Sequence, residues 1–432
     1  MYKVGFITLG CKVNIYESNA IKNELIARGY EIVEPCEDCD VFIVNTCSVT
    51  NMSDAKSRKM IRKCIKMNPN AIMCAMGCYT QTNGEAKTID GIDILIGNGN
   101  KKKAIDKIDE MLKNNLKGKI KYIDIIDILD MHDYEPLEVT SFDHTRAFVK
   151  IEDGCENFCT YCIIPYARGP VRSKRADDVI NELNRITSLG YQEVVLSGIH
   201  TGRYMDNGTN LSALIKRILT EVPNLKRLRL SSIEINEIDD EFINMLKNNE
   251  VIANHLHLPL QSGSDLILSK MERKYDTKFF IDKVNKIKEA RPNISITTDI
   301  IVGFPYETEK EFMETYNLAT NLKLAKIHVF PYSVRKRTKA AQMPQVDDSI
   351  KRERAGRLLA LSDELEKNYN EKFIGSLFDL IIEQKVGDMM VGHTSNFLQV
   401  YLPLDEKLIT KMVKIKIKSF INGKLMGEIV EI

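Results

Sequence analysis

The chain has no tryptophan, and no apolar run approaching the ~18 residues needed to cross a bilayer. Nor is either charge in excess: 61 Lys and Arg stand against 60 Asp and Glu, for a formal net charge of +1. That balance excludes a bulk polycation that coats nucleic acid, although it is silent on local patches. The stretch Met1 to Gly10 has no basic region followed by a long apolar core, so it does not read as a secretory signal; a cytoplasmic protein without a membrane anchor is expected. Long repeats, low-complexity segments and a convincing acid–base pair are also missing. What remains is a globular balance of 44% apolar and 28% charged residues over 432 positions, a length that suggests two or three domains. Ten cysteines are the exception. In a long, reduced chain they read as metal ligands or catalysts before they read as disulfides.

Seven cysteines precede residue 80, three fall between 155 and 162, and none follows. Hydrophobic periodicity divides the chain in the same places. Strands are expected at 3–9, 41–45, 71–76 and 92–96, with helices at 16–28, 53–67 and 101–114, the alternation of a doubly wound parallel α/β sheet over residues 1–118. Residues 119–145 read as a connecting strand and linker. From 146 to 371 six further strand–helix units are expected, too few for a complete eight-unit barrel but suited to an open, partial one. Residues 372–432 alternate with period two, as in Val413–Lys418, and predict a small all-β module.

The sequence Asp153-Gly-Cys155-Glu-Asn-Phe-Cys159-Thr-Tyr-Cys162 follows a predicted strand, at the face where barrels of this type build active sites. Three thiolates on one loop with no fourth nearby leave a coordination position open. Thiolate chemistry alone leaves zinc and an iron–sulfur cluster as alternatives. In the front region, Cys11, Cys47 and Cys78 each follow a predicted strand, at the edge where ligands of parallel sheets bind, so three distant thiols could meet there. Cys36 and Cys39 offer too few ligands for a structural zinc, and Cys64 and Cys74 read as small packing residues.

The C-x3-C-x2-C loop, with Tyr161 before its last cysteine on a partial barrel, resembles the radical SAM enzymes. In that family the three cysteines hold a [4Fe–4S] cluster whose fourth iron is chelated by S-adenosylmethionine, and one electron cleaves SAM to a 5′-deoxyadenosyl radical. Gly10-Cys-Lys-Val-Asn-Ile-Tyr-Glu-Ser18, Asn45-Thr-Cys-Ser-Val49, Gly77-Cys-Tyr-Thr-Gln81, Leu256–Ser264 and Thr298–Pro305 resemble the methylthiotransferases, in which three front cysteines bind an auxiliary [4Fe–4S] cluster. The resemblance spans nearly the whole chain, and the tail resembles the TRAM module of these enzymes. It implies two clusters, held by Cys11, Cys47 and Cys78 and by Cys155, Cys159 and Cys162, the second set catalytic. It also implies SAM at the strand ends, with Tyr161, Ser197, Gly198, Ser231, Glu234, Gln261, Ser262, Thr298, Asp299 and Phe330 as contacts. The word Cys-Lys-Val-Asn-x-Tyr-Glu-Ser is most similar to the branch acting on threonylcarbamoyladenosine at position 37 of tRNA. Partners so implied are a tRNA anticodon stem-loop and an electron donor such as flavodoxin or ferredoxin; the sulfur donor is unnamed. Rival readings are isopentenyl-adenosine or a ribosomal-protein side chain as substrate, or a non-catalytic iron–sulfur RNA-binding regulator.

His200, His255 and His257 read as satisfied structural histidines rather than acids or bases. Basic runs are expected to meet RNA phosphates: Lys56 to Lys66 on one helix, Arg168 to Arg175, Arg335 to Lys339, and Lys414, Lys416 and Lys418. Two positions depart from the family pattern: Tyr306 and Arg337 stand where glycine is usual.

Overall fold

A computed structural model describes residues 1–431. The front domain is a six-stranded, wholly parallel sheet: β1 (Lys3–Thr8), β2 (Glu31–Val33), β3 (Val41–Thr46), β4 (Ile72–Gly77), β5 (Ile94–Ile96) and β6 (Tyr122–Asp124), in the order β2-β1-β3-β4-β5-β6. Helices α1 (Lys12–Ala27), α2 (Asn51–Met67), the single turn α3 (Cys78–Thr82) and α4 (Lys103–Lys113) connect them. Every residue of β3 and β4 is buried, as a sheet covered on both faces requires. The segment read as a linker supplies β6, which pairs with β5, so the sheet extends past residue 118. Three residues of period-two pattern are too short to distinguish an edge strand from a loop.

Six strands of the central region form two parallel groups. β7 (Ala147–Lys150), β8 (Glu193–Ser197) and β9 (Arg227–Leu230) run in the order β9-β8-β7; β10 (His255–His257), β11 (Ser295–Val302) and β12 (Lys326–Pro331) form the second group. Parallel bridges Leu228–Ile252 and Ser232–His257 join the groups into an open arc. The connecting helices are α5 (Ile164–Arg168), α6 (Ala176–Ser188), α7 (Leu211–Glu221), α8 (Asp240–Asn248), α9 (Asp265–Lys270), α10 (Thr277–Ala290) and α11 (Glu309–Leu322), with α12 (Asp348–Glu371) along β12. Local chemistry sets their starts: Asn210, Asp239 and Asp276 cap α7, α8 and α10, and Thr308 with Glu311 forms a capping box on α11. One apolar core, from Ala147 to Leu365, fills the arc.

The tail closes into a five-stranded barrel, β13 (Leu377–Val386), β14 (Met389–Thr394), β15 (Gln399–Pro403), β16 (Met412–Ile421) and β17 (Lys424–Glu431), in the order β13-β14-β15-β17-β16. Val413, Ile415 and Ile417 point inward, as period two predicts. Arg227 and Arg229 of β9 anchor it by donating to the carbonyls of Asp379, His393, Thr394 and Ser395. No helix among the described residues is long and apolar enough to cross a membrane.

Candidate cluster and cofactor site

Cys11 precedes α1 at the end of β1, Cys47 follows β3, and Cys78 starts α3 after β4. The sheet order reverses between β1 and β3, and ligands of such folds bind at that switch point. Gly10 stands at φ +99°, and a Cβ there would lie 2.9 Å from the Cys47 Cβ, so only glycine lets the two cysteine loops approach this closely. The thiols sense one another. Burial pushes Cys47 up, and the charges of Cys78 and Cys11 push it further. Asn98 donates to the Cys78 Sγ at 3.3 Å.

The second triad sits on the loop after β7. Gly154, at φ +96°, brings Cys155 under the backbone of Gly169 and Pro170: the Cys155 amide donates to the Gly169 carbonyl at 2.9 Å, and a Cβ on Gly154 would meet the Pro170 oxygen at 1.8 Å. Thr160 donates its hydroxyl to the Lys270 carbonyl and its amide to that of Met271. Burial raises the Cys155 thiol and pushes Cys162 up to about 12, with Cys159 adding to the latter. Thiols held this high need a metal to ionise them.

A cavity of about 550 Å³ is lined by Cys11 on one side and by Cys155, Cys159 and Cys162 on the other. Of the expected SAM contacts, Tyr161, Gly198, Ser231, Glu234, Gln261 and Asp299 line it; Phe330 lines a smaller adjoining cavity of about 170 Å³ with Tyr161 and Gln261. Ser197, Ser262 and Thr298 are not brought to either wall. Their hydroxyls are turned inward, onto the Val195 carbonyl, Thr315, and the Leu258 carbonyl with the Leu260 amide. Burial raises the Glu234 carboxyl although Arg273 pairs with it.

Periodicity and motif reading missed Arg273. It lies between helices with no spacing signal, yet it contacts Glu234, the Tyr161 hydroxyl and the Cys159 Sγ, the last two at 3.4 Å. His257 and His255 share the Thr297 hydroxyl at 2.9 and 3.0 Å, and the His255 Nδ1 is left without a partner. His200 is not merely structural in position: its Nδ1 lies 3.5 Å from the Cys155 Sγ, and its Nε2 lies 2.6 Å from Glu237.

The structure corrects the expected RNA contacts. Arg168, Arg172 and Lys174 are buried, bonded to Glu17 and Asp153, to loop carbonyls, and to Glu182 respectively. Arg335 is likewise buried against Asp54, Ser48 and Asn51, locking β12 to the start of α2. Lys414 and Lys418 are exposed but paired with Glu431 and Glu428. On α2, by contrast, Lys56, Lys59, Arg62, Lys63 and Lys66 are all solvent-accessible. Among the described residues none of those five has an acidic partner within 4.0 Å, whereas Arg58 approaches Glu85.

The donor set fits iron–sulfur clusters better than zinc. A tetrahedral zinc at ~2.3 Å from sulfur would gather its thiols to ~3.8 Å from one another. Among the described residues the one set of three ligating groups whose donor atoms all lie within 4.8 Å of each other is His257, Asp299 and His328, not either cysteine triad.

Residues 149–319 match the model of the Radical SAM superfamily, and residues 3–97 that of Uncharacterized protein family UPF0004. The chain is 44% identical to threonylcarbamoyladenosine tRNA methylthiotransferase MtaB of Bacillus subtilis, over 96% of this chain and 94% of the relative. Its identity to the protein of the same name from Aquifex aeolicus is 38%, over 88% and 93%. With tRNA-2-methylthio-N(6)-dimethylallyladenosine synthase of a Thermoanaerobacter species the identity is 33%, over 98% and 92%. In fold it is similar to the radical S-adenosylmethionine methyltransferase TsrM of Kitasatospora setae, with a TM-score of 0.54 at 13% identity, covering 77% of this chain and 75% of that one. With Cys11 of one triad and all three cysteines of the other on one cavity, and relatives matched along nearly their full length, the chain belongs to the radical SAM methylthiotransferase family.

Proposed function

We propose that this chain is a cytoplasmic tRNA-modifying enzyme that converts N6-threonylcarbamoyladenosine at position 37, in the anticodon loop, to its 2-methylthio derivative. The observation that carries this reading is the shared cavity, on which Cys11 of one triad and all three cysteines of the other open. Support for the substrate comes from relatives named for threonylcarbamoyladenosine, which reach 44% and 38% identity against 33% for one named for dimethylallyladenosine.

Cys155, Cys159 and Cys162 would hold one [4Fe–4S] cluster, and Cys11, Cys47 and Cys78 the other. When bound, the clusters and SAM supply radical hydrogen abstraction and sulfur transfer. The chain's own residues position them. Arg273 holds Glu234 and Tyr161 at the cavity wall, and Gly198 keeps that wall open where a Cβ would meet the Glu152 carboxylate at 2.6 Å. An external electron donor such as flavodoxin or ferredoxin would act on the first cluster. Exposed cations of α2 would meet phosphates, while the target base is splayed out of its loop to reach the cavity.

The test is nucleoside mass spectrometry of tRNA from cells with and without the protein. Loss of 2-methylthio-threonylcarbamoyladenosine is expected in its absence; loss of the methylthio-isopentenyl nucleoside instead would reassign the substrate, and no methylthio difference would sink the reading.

A further inference from the structure

Behind the cluster cavity lies a second chamber of about 290 Å³, formed by the interior of β9–β12, by Lys12 of α1 and by the loop of the terminal barrel that carries Phe397. Lys12 lines both chambers. They also adjoin at His257 and Asp299: His257 lines the rear chamber, Asp299 the front, and the His257 Nε2 lies 3.2 Å from the Asp299 Oδ1.

The rear chamber is polar, and its charged lining is Lys12, Arg229 and the paired Lys326 and Glu366. Arg229, His255, His257 and His328 line it, and the buried Nδ1 of His255 has no hydrogen-bond partner. Arg229 is neutralised by Glu193 at 2.8 Å. Lys12 has neither an acidic partner within 4.0 Å nor a side-chain hydrogen bond among the described residues. A cation held in this way gains most from an anion that enters the chamber.

We infer that the rear chamber is an anion subsite whose Lys12 selects RNA in which the N6 substituent of the target adenine carries a carboxylate. The inference rests on the proposed function and names the group that discriminates its substrate. C2 and C6 belong to the same six-membered ring of adenine. A base held with C2 between Cys11 and the Cys155 loop therefore carries its N6 substituent within a lysine's reach of the residue following Cys11. Threonylcarbamoyl ends in a carboxylate that would pair with Lys12. Dimethylallyl is apolar and would desolvate Lys12 and the histidines without replacing their hydrogen bonds. Hydrosulfide is the other anion that fits this chemistry, and the experiment separates the two.

The cluster-reconstituted wild type, Lys12→Gln and Lys12→Arg are assayed on two synthetic anticodon stem-loops, one with threonylcarbamoyl-adenosine and one with its carboxamide. Binding of each RNA is measured by fluorescence anisotropy alongside kcat and KM. The wild type should favour the acid by roughly tenfold to a hundredfold, the worth of a hydrogen bond to a charged group. Lys12→Gln should lose that preference through a raised KM and Kd for the acid alone, and Lys12→Arg should recover part of it. A preference that survives Lys12→Gln, or an equal loss on both RNAs, overturns the inference; an equal loss accompanied by a raised sulfide requirement assigns the chamber to hydrosulfide. Turnover of neither RNA by the wild type would sink the functional reading instead, and the acid-to-amide binding ratio would still decide the role of Lys12.

Discussion

Arg168 donates to Glu17 at 2.6 Å, joining the helix after Cys162 to the helix after Cys11 across 151 residues of sequence. Both side chains are fully buried, and Lys101, Lys150 and Asp153 complete the cluster. Burial alone would raise the Glu17 carboxyl, but Arg168, Lys101 and Lys150 outweigh it and hold the group well below the usual carboxylate range. The network ties the helix that follows Cys11 to the loop region that carries Cys155, Cys159 and Cys162.

Removing one partner leaves buried charge uncompensated. Arg168→Ala should lower the unfolding free energy by about 3–5 kcal/mol, measured by denaturant titration. Unchanged stability would mean that solvent reaches Glu17.

The two triads should separate chemically. Cys159→Ala is expected to abolish 5′-deoxyadenosine formation from SAM, whereas Cys47→Ala should retain some of it while losing sulfur insertion. Iron content and low-temperature electron paramagnetic resonance follow each cluster independently of turnover. Full methylthiolation by Cys47→Ala would refute the two-cluster assignment.

Acid stability should depend on Glu193. Burial raises this carboxyl, yet Arg229 and Arg227 outweigh burial and hold it at about 2, below the ordinary 4.5. A depressed carboxylate contributes stability above the unfolded value and loses it as pH falls from about 4.5 toward 2. The shift corresponds to about 3 kcal/mol. Glu193→Gln should flatten the pH dependence of unfolding in that window, and a slope identical to wild type would contradict the pairing.

Backbone conformation distinguishes a required glycine from a replaced one. Gly154→Ala should prevent the Cys155 loop from closing, because its Cβ would meet the Pro170 oxygen. Tyr306 and Arg337, the two departures from the family's glycines, both stand at positive φ, +70° and +76°, with Lys270 over the Tyr306 ring and Arg337 over the Tyr166 ring. Tyr306→Gly relieves left-handed strain but removes the ring beneath the Lys270 ammonium and loosens the unfolded chain, so its stability should stay within about 1 kcal/mol of wild type. Thermal unfolding compares the two variants, and a Gly154→Ala protein with a normal cluster spectrum would reject the argument.

RNA binding should report on α2. The double charge reversal Lys59→Glu with Arg62→Glu is expected to weaken binding of tRNA and to reduce the salt slope by about 1 for each phosphate that is no longer neutralised. An unchanged slope would move the RNA footprint elsewhere.

Much of this was legible one residue at a time. Alternating apolar runs located the strands of both parallel regions, because period and length are local properties. Soft thiols at C-x3-C-x2-C, and a cysteine at the end of each of three strands, marked both triads, because ligand type and position along a strand are written in order along the chain. Charge in three dimensions was not legible. Arg168, Arg172, Lys174 and Arg335 read as basic patches and proved to be buried, Arg168 and Arg335 against carboxylates of the front domain and Lys174 against Glu182 of its own region, since a cation's role depends on which carboxylate the fold sets beside it. The word Asn14-x-Tyr16-Glu17-Ser18 identified a family. Only the tertiary structure showed Asn14 and Glu17 bonded to Arg168, Tyr16 to the Leu137 carbonyl, and Ser18 to Asn45. Residue types and their local spacing were determined by sequence; whether a given cation stayed unpaired, as Lys12 and the face of α2 did, was decided by packing, because pairing is a property of space and not of order.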